Sequence, residues 1–479
     1  LCLSPMKTKF DSKNIYDFAN FLLGLIIVLS LVQITVEALA GYRFYLFSPY
    51  YEPWIILLTI VTIAVMLVLL WYFRIKNYRI AFIGFLISSV TSLAFTLMAY
   101  LALSDRDLQK LVPWAFVILL CTGIIYSVSL FTSKTRHKRW LFWVGVIGFS
   151  LELILLVLQL WALNTDNAAV PIIIGKVLLW ILVLINFNMI FYILNFKEEL
   201  DLLKNKAKAK PSNLFTGIRV GLGIVSLIAV LVVLNVATSE YAWEKGKVAR
   251  SKLMVGDFEA KIFVNAQNDT LLYRLQLPKD YDSNRKYPLV VNLHNGGGVG
   301  TDNLIQLDAT TTAQLLSTAE NREKYPAFIF LPQSPTNDGF GGISDGPGVS
   351  GLVFEAMDQL EKEYNIDDKR RYVVGMSTGG YGAWYFIGVK PEKFAAAIPI
   401  CGGGDPSMAA KMTHIPIWAF HGKTDKSVPV HLTQNMIKAI RKAGGSPKYT
   451  EFLAGHLIWD KVQSTPGYLD WLFAQKRTD

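Results

Sequence analysis

One pentapeptide in the C-terminal half of the chain has the pattern of a reactive serine. Gly375-Met-Ser-Thr-Gly379 matches Gly-x-Ser-x-Gly, follows the apolar run 371–374 and precedes a stretch of helical pattern near 378–390. A serine on a sharp turn between a strand and a helix exposes its hydroxyl, and glycines on both sides prevent clashes with the crowded backbone. The pattern therefore predicts Ser377 as the nucleophile of an acyl-transfer reaction.

The same pattern occurs a second time, at Gly342-Ile-Ser-Asp-Gly346. No strand-like run precedes Ser344, Pro347 follows it closely, and the surrounding segment is rich in glycine. The motif is specific only when a strand comes before it and a helix after it. The sequence therefore favours Ser377 over Ser344.

A serine hydroxyl needs a neighbouring base, and in chains with this turn the order is serine, acid, histidine. His456 is the last histidine; it follows the apolar run 449–453 and precedes the final helical stretch. Asp425 follows the run 415–420, in a loop closed by Pro429. We predict His456 as the general base and Asp425 as the carboxylate that orients its ring.

Other histidine and acidic side chains near these positions are weaker candidates. His421 ends the 415–420 run directly, and its predicted role is to hold the turn that follows. Asp405 follows the preceding apolar run, and Asp460 falls four residues beyond His456 on the last helical stretch. Both remain rivals of Asp425 for the position of the acid.

The tetrahedral intermediate of acyl transfer requires two N–H donors directed at its oxyanion. The backbone of Thr378, directly after the predicted nucleophile, is expected to supply the first. The second is expected from the loop after the run 288–293, which reads His-Asn-Gly-Gly-Gly. Gly296 is the first choice and Asn295 the next, because glycine lets the backbone approach a substrate closely. His294 is expected to support the loop.

Short apolar runs alternate with helical stretches through the last part of the chain. Two runs near its start, 259–264 and 271–277, alternate polar and apolar residues as a half-exposed hairpin does. Strand–helix alternation predicts a mostly parallel sheet with helices on both faces, which is a doubly wound α/β fold. The predicted division of the chain is a multi-span domain over 1–237, a polar linker over 238–257 and an α/β domain over 258–479.

The first half of the chain is far more apolar than the second. The sequence has 479 residues, 52% of them hydrophobic, and the long apolar runs concentrate before residue 238. A helix needs about 20 apolar residues to cross a bilayer. Seven runs reach that length, which predicts an N-terminal all-α transmembrane bundle of about seven helices. The predicted spans are 18–40, 54–73, 79–103, 113–131, 140–163, 171–195 and 215–237.

Basic residues are distributed unevenly among the loops between these spans. The N-terminal tail and the second, fourth and sixth loops carry 15 lysines and arginines, whereas the alternate loops carry only Arg43, Arg106 and Lys110. Basic loops stay in the cytoplasm, which predicts a cytoplasmic N-terminus and, after seven spans, an extracytoplasmic C-terminal domain. The net charge of +10 lies mainly in the first half, so it indicates a lipid-bilayer partner and no nucleic acid.

A few ionisable residues fall inside the predicted spans, where a charge is costly. Glu152 lies near the middle of the fifth span, and Glu37 and Lys176 lie nearer the ends of theirs. These residues are candidates for a functional site. The alternatives are a structural pair, such as Glu37 with Lys176, or a protonated Glu152 that bonds within the bundle.

Several stretches of the C-terminal half resemble the α/β-hydrolases. They are similar to the predicted-peptidase or phospholipase/carboxylesterase-like branch, which includes feruloyl-esterase-like enzymes. The resemblance covers about 258–479 and no part of the bundle. It lies in Gly300-Thr-Asp-Asn303, Gly375-Met-Ser-Thr-Gly-Gly-Tyr-Gly-Ala-Trp384, Phe394-Ala-Ala-Ala-Ile-Pro-Ile-Cys-Gly-Gly-Gly-Asp405, Ile415-Pro-Ile-Trp-Ala-Phe-His-Gly422 and Gly455-His456.

The resemblance implies hydrolysis of carboxylic esters by Ser377, Asp425 and His456, without a metal or an organic cofactor. Small-molecule or carbohydrate-linked esters are the expected substrates. The sequence departs from the usual pattern where Asn295 replaces a glycine and Gly298-Val299 replaces a Glu-Arg pair, which bears on substrate preference and oxyanion geometry. A serine peptidase of the same fold and a catalytically inactive binding module on a membrane protein remain alternatives.

Overall fold

In a computed structural model, which describes residues 12–103, 106–165, 169–204, 213–343, 346 and 348–477, the chain forms two compact units. The first unit is Leu1–Tyr241 and the second is Ala242–Asp479. Each has hydrophobic clusters of its own, so each buries its own core.

The first unit is helical. Among the described residues, seven helices are long and apolar enough to cross a membrane, as the sequence predicted. The short helix α2 between the first two of them was not predicted. The helices are α1 (Ser12–Ala40), α2 (Tyr42–Phe47), α3 (Tyr51–Ile75), α4 (Arg79–Leu101), α5 (Arg106–Thr132), α6 (Arg139–Leu163), α7 (Ala169–Lys204) and α8 (Asn213–Met254).

Apolar side chains face both the inside and the outside of this helical unit. In α3, Trp54, Val61 and Leu69 are almost fully buried, whereas Ile60 and Leu67 are 55% and 61% exposed. A helix that is apolar on every side is typical of a buried or membrane-spanning segment. Large outward apolar surfaces of this kind are rare on soluble monomers.

Ion pairs hold the unit together at its two ends. The Glu199 carboxylate on α7 accepts hydrogen bonds from Nζ of Lys76, at 2.5 Å, and of Lys138, at 3.1 Å. Arg43 bonds Glu240 of α8 at 2.7 Å. Arg43 precedes α3 and Lys76 follows it, so the two contacts lie at opposite ends of that helix. The second and fourth loops therefore meet at one end.

Helix α8 extends further than the sequence predicted. Residues 238–254, which fall in the predicted polar linker, continue the helix without a break. This segment contains no proline, and Glu244 and Lys247, one turn apart, form an ion pair of 2.6 Å. Its polarity therefore reflects exposure of the helix and not a loop.

The second unit is built on one eight-stranded sheet, in the order β1-β2-β4-β3-β5-β6-β7-β8. The pairs β1–β2 and β2–β4 are antiparallel and the other five neighbouring pairs are parallel. This confirms the predicted mostly parallel sheet. The strands are β1 (Glu259–Val264), β2 (Thr270–Gln276), β3 (Tyr287–Leu293), β4 (Phe328–Pro332), β5 (Ile366–Met376), β6 (Ala396–Ile400), β7 (Trp418–Gly422) and β8 (Lys448–Phe452).

Helices cover both faces of this sheet. Val290 and Val291, neighbours in β3, point into different clusters, since successive side chains of a strand face opposite sides. The cluster with Val291 includes side chains from α11 (Ser350–Glu363), α12 (Thr378–Val389) and α13 (His431–Lys442). That with Val290 includes side chains from α9 (Thr311–Leu316), α14 (Trp459–Gln463) and α15 (Tyr468–Phe473), and the remaining helix is α10 (Ala319–Lys324). Strands covered on both faces read as continuous apolar runs.

Phe330→Ala is expected to destabilise the second unit. Phe330 is fully buried in β4 and packs against Tyr273 with ring centroids 5.1 Å apart. Deleting such a ring costs about 3–5 kcal/mol, which corresponds to a fall in Tm of roughly 10 °C for a unit of this size. Scanning fluorimetry of the full-length protein measures the shift. Ile262→Ala, at a side chain 61% exposed in β1, is the control, and an equal shift in both variants contradicts the assigned core.

Candidate active site

Ser377 occupies the turn between β5 and α12, the strand–turn–helix context that its motif predicted. Its backbone has φ 57° and ψ −118°, a conformation that non-glycine residues rarely adopt. The Ser377 N–H donates to the Ile400 carbonyl at 2.9 Å, and its carbonyl accepts from the Tyr381 N–H at 3.0 Å. These bonds hold the serine in a conformation that costs about 1–3 kcal/mol.

The two glycines of the motif stand where the structure has no room for a side chain. A Cβ at Gly375 would overlap the carbonyl of Gly379, and a Cβ at Gly379 would overlap the carbonyl of Leu293 at the end of β3. The start of α12 therefore packs directly on β3. Ser344, of the second matching pentapeptide, lies outside the described residues.

Asp425 and His456 meet after two neighbouring strands. Asp425 follows β7 and His456 follows β8, and the His456 Nδ1 lies 2.7 Å from Oδ2 of Asp425. The other carboxylate oxygen, Oδ1, accepts the N–H groups of Ser427 and Val428, both at 2.9 Å. Both side chains are buried, so the carboxylate is held in one orientation against the ring.

Cys401 connects this pair to the serine turn. It directly follows Ile400, which bonds the Ser377 N–H, and its Sγ lies 3.4 Å from the carbonyl oxygen of His456. The turn of Ser377 and the loop of His456 therefore both contact the chain at the end of β6. Burial raises the pKa of the Cys401 thiol, which disfavours the reactive thiolate.

His421 contacts the same carboxylate from a second direction. Its Nε2 lies 3.2 Å from Oδ2 of Asp425 and 2.8 Å from the carbonyl of Val428. Its Nδ1 lies 2.8 Å from the hydroxyl of Thr433, which donates its own proton to the carbonyl of Gly402. Acceptors therefore face both ring nitrogens of His421, which holds the turn as the sequence predicted.

The carboxylate of Asp425 stays ionised at neutral pH. Burial by itself raises the pKa of this carboxyl, but the hydrogen bonds from His421 and His456 outweigh it and hold the pKa at about 2. A negative charge at this position stabilises a positively charged His456 ring. Asp405 and Asp460, the rival acids, do not take part: Asp405 caps a turn through the Ser407 N–H at 2.8 Å, and Asp460 bonds Gln463 in α14.

The two predicted sources of the second oxyanion donor differ in their backbone bonds. The Asn295 N–H donates to the carbonyl of Ala309 at 3.1 Å, which argues against Asn295 as an oxyanion donor. Its side chain accepts the Gly297 N–H at 2.8 Å and so shapes the loop. Gly296 lies beside Thr378, since a Cβ at Gly296 would come within 3.6 Å of the Thr378 Oγ1. The structure thus brings Gly296 and Thr378 together.

A family model supplies the decisive comparison. The model of the dienelactone hydrolase family matches residues 348–456, a segment that contains Ser377, Asp425 and His456. The C-terminal half of this chain is an α/β-hydrolase domain. The match ends at His456 and includes neither the oxyanion loop nor the helical bundle, so the finer features of the hydrolase domain rest on its own geometry.

Several proteins to which the chain is similar are named as esterases. "Probable feruloyl esterase C" of Aspergillus niger is 28% identical over 157 residues, which are 33% of this chain and 56% of that protein. A bifunctional acetylxylan esterase/xylanase of Neocallimastix patriciarum is 34% identical over 101 residues, which are 21% of this chain and 14% of that protein. A solved thermostable esterase is 37% identical, with 47% of this chain and 64% of that one covered and a TM-score of 0.45.

The chain spans about half the length of the feruloyl esterase that it matches. It spans a smaller share of the acetylxylan esterase/xylanase. Both curated relatives are named as esterases.

His294 supports the oxyanion loop, as the sequence predicted. Its Nδ1 bonds the carbonyl of Asn295 at 2.7 Å, and its Nε2 accepts the N–H of Ser334 at 2.9 Å. The ring of Phe340 packs on it with centroids 4.8 Å apart. Burial lowers the pKa of His294 to about 4, against an opposing effect of its bond to the carbonyl of Asn295, so the ring is neutral at pH 7.

Gln333 is a second polar support of the same loop, and it was not predicted from the sequence. Gln333 donates through Nε2 to the Gly298 carbonyl at 3.2 Å and to Oδ1 of Asp302 at 2.9 Å, while its Oε1 accepts the Asn303 N–H at 2.7 Å. Arg274 adds a bond of 2.6 Å to the Asn303 carbonyl. Gln333 directly follows β4, and a polar residue at the end of an apolar run was the available signal.

The glycine-rich loop between β4 and α11 packs against the start of α12. Gly339 has φ +62°, and a Cβ there would overlap the methyl of Thr378. Gly342, at φ +82°, lies against the backbone of Tyr381. This loop therefore packs beside Thr378, the proposed oxyanion donor, and limits the space around its side chain.

Acid is expected to destabilise the hydrolase domain, in part through His294. Its folded pKa, about 4, is below the ordinary value of 6.5, so the unfolded chain binds the extra proton first. The stabilisation is complete above pH 6.5 and is lost as the pH falls towards 4, at about 1.4 kcal/mol per pH unit for one proton. We expect His294→Gln to remove that slope from the stability of the domain, measured by urea unfolding at several pH values.

His414→Gln is the matched control, because His414 is exposed and its loss should leave the slope unchanged. If His294→Gln keeps the slope of the wild type between pH 6.5 and 4, the assignment of a buried neutral ring to His294 is wrong.

Proposed function

We propose that the chain is a membrane-anchored serine hydrolase that cleaves carboxylic esters. The observation that carries this proposal is the 2.7 Å bond between the His456 Nδ1 and the Asp425 Oδ2, beside the strained turn of Ser377. Two N–H groups, of Thr378 and Gly296, border the same turn. A nucleophile, a base, an orienting acid and two donors are the parts that acyl transfer to water requires.

In the proposed reaction, the Ser377 Oγ attacks the ester carbonyl while the His456 Nε2 takes its proton. The negative oxygen of the tetrahedral intermediate accepts hydrogen bonds from the Thr378 and Gly296 N–H groups, and Asp425 stabilises the charged ring of His456. His456 then gives the proton to the departing alcohol. A water molecule, activated by the same ring, hydrolyses the acyl-enzyme and releases the acid. Side chains and backbone groups of this chain supply the nucleophile, the proton transfers and the oxyanion donors of the proposed reaction.

The proposed substrates are esters of small molecules or of carbohydrates. Two relatives of the chain are named as a feruloyl esterase and an acetylxylan esterase, which supports this proposal. Asn295 and the loop at Gly339 border the proposed oxyanion site, so they are the positions through which this chain would select its acyl group.

Ser377→Ala is expected to abolish ester hydrolysis. Loss of a nucleophile of this kind lowers kcat by on the order of 10⁴- to 10⁶-fold. Turnover of p-nitrophenyl acetate by the full-length protein in detergent measures the loss, and a fluorophosphonate probe should label the wild type and not Ser377→Ala.

Ser344→Ala is the control, because it removes the serine of the second matching pentapeptide. We expect it to keep both turnover and labelling. Loss of labelling in Ser344→Ala with full labelling of Ser377→Ala would reverse the assignment. A wild-type protein that cleaves a peptide amide faster than any ester would point to a peptidase, and one that takes no label would point to an inactive binding module.

We further propose that the first unit spans a bilayer with the N-terminus in the cytoplasm and the hydrolase domain outside it. The seven apolar helices support insertion, and the excess of basic residues in alternate loops supports the orientation. The contacts of Lys76 and Lys138 with Glu199 add support, because they place two of the basic loops at the same end of the bundle.

The proposed orientation predicts which exposed positions react from outside the cell. In Gln267→Cys, a residue of the turn between β1 and β2, a membrane-impermeant maleimide should label intact cells or spheroplasts. In Lys134→Cys, between α5 and α6, it should label only after lysis. Both positions are exposed in the structure, so a difference in labelling reports the side of the membrane. The reverse pattern contradicts the proposed orientation.

A further inference from the structure

The helical unit contains a cavity of about 320 Å³ among α1, α3, α4 and α7. Its size is at the lower end of the range for small-molecule pockets, about 300–1,000 Å³. Six of its fourteen lining residues are isoleucine or leucine, and the other eight are polar. The polar groups that line it include Ser30, Gln33, Glu37, Thr59, Ser92 and Asn186. A cavity that combines apolar side chains with polar groups has the composition of a ligand site.

Glu37 is fixed in position by a short chain of hydrogen bonds. The Gln33 Nε2 donates to Oε1 of Glu37 at 2.7 Å, and the Trp54 Nε1 donates to Oε1 of Gln33 at 2.5 Å. Trp54 is only 1% exposed, so the indole anchors the chain. The carboxylate of Glu37 therefore has a defined direction at the cavity wall.

Glu37 differs from Glu199 and Glu240 in having no described cation beside it; Glu152, which accepts a hydrogen bond from Ser127, resembles Glu37 in this respect. Glu199 has Lys76 and Lys138, and Glu240 has Arg43. Among the side chains that the structure describes, no lysine or arginine forms an ion pair with Glu37; the side chain of Lys176 lies outside them. A charge among apolar helices is costly unless it is compensated. A cation brought by a ligand would compensate it.

The other polar groups of the cavity fit the same kind of ligand. Hydroxyl and amide oxygens, such as those of Thr59, Ser92 and Asn186, accept hydrogen bonds, and an ammonium group has three N–H donors to offer. An anionic head would meet the carboxylate of Glu37 and be repelled. The isoleucine and leucine walls suit an alkyl chain.

The cavity lies towards the end of the bundle at which Arg43 bonds Glu240. Glu37 stands six residues before Arg43, near the end of α1, and Thr59 is in the first half of α3. In the proposed orientation this is the extracytoplasmic half of the bundle, so a ligand would enter from the outer leaflet or from outside.

We propose that this cavity binds an amphiphile with a protonated primary amine and an alkyl chain. The ammonium group lies at Glu37, and the chain lies along the apolar walls. This site is separate from Ser377 and does not depend on the proposed hydrolase activity.

The test compares three probes of equal chain length and different charge. The full-length protein in phosphatidylcholine nanodiscs is titrated at pH 7.5 with n-octylamine, n-octanol and octanoate by isothermal calorimetry, with empty nanodiscs subtracted. We expect saturable binding of octylamine, at least tenfold tighter than octanol, and no binding of octanoate. Equal affinity for octylamine and octanol, or no saturable binding of octylamine, overturns the proposal.

Three variants identify the site. Glu37→Gln should lower the affinity for octylamine about tenfold or more and leave that for octanol unchanged, and Glu244→Gln, an exposed charge outside the cavity, should change neither. Thr59→Leu, which fills the cavity, should weaken both probes. Retention of the amine preference in Glu37→Gln overturns the proposal. Octylamine binding that appears only in Lys176→Met also overturns the proposal, because Lys176 would then be the cation that pairs with Glu37. Gel filtration and circular dichroism establish that each variant is folded.

Discussion

The candidate active site of the hydrolase domain depends on a steric constraint between the start of α12 and the end of β3. No Cβ fits at Gly379, because the carbonyl of Leu293 occupies its place. This contact sets the helix directly on the strand, and it brings Thr378 at the start of the helix next to Gly296 in the loop after the strand. The strained backbone of Ser377 follows from the same packing, since the chain must reverse within one residue.

The second requirement of this site is a stable negative charge on Asp425. Asp425 is buried, yet two backbone N–H groups and two imidazole rings surround its carboxylate. Because these partners outweigh the cost of burial, the negative charge persists where a charged His456 would need it. In the helical unit, Glu199 is compensated in a comparable way by two lysines. Glu37 and Glu152 of the helical unit differ from these, because their described hydrogen-bond partners are the neutral side chains of Gln33 and Ser127.

Much of this arrangement follows from local sequence patterns. The apolar runs gave the number of long helices, and the alternation of runs and helical stretches gave the parallel sheet, because periodicity and length are local properties. The order of Ser377, Asp425 and His456 along the chain was readable because each follows a recognisable strand. The assignment of His421 and His294 to supporting roles agreed with the bonds that the structure gives them.

The features that the sequence did not reveal depend on contacts between distant segments. The bond from the Asn295 N–H to the carbonyl of Ala309 joins two loop residues with no pattern between them, so Asn295 looked available as an oxyanion donor. Gln333 supports the same loop from the end of another strand. The helical conformation of 238–254, within the predicted linker, was not predicted because polarity was given more weight than helix-forming composition.

The Asp425 carboxylate has partners besides His456, and this has a consequence for the evolution of such domains. His421, Ser427 and Val428 keep the carboxylate in place independently of His456. A descendant that lost His456 would lose the proposed reaction but keep the backbone N–H groups that hold the Asp425 carboxylate. Natural selection could then retain that arrangement for recognition alone, so a catalytic module of this design can give rise to receptors without passing through an unfolded intermediate.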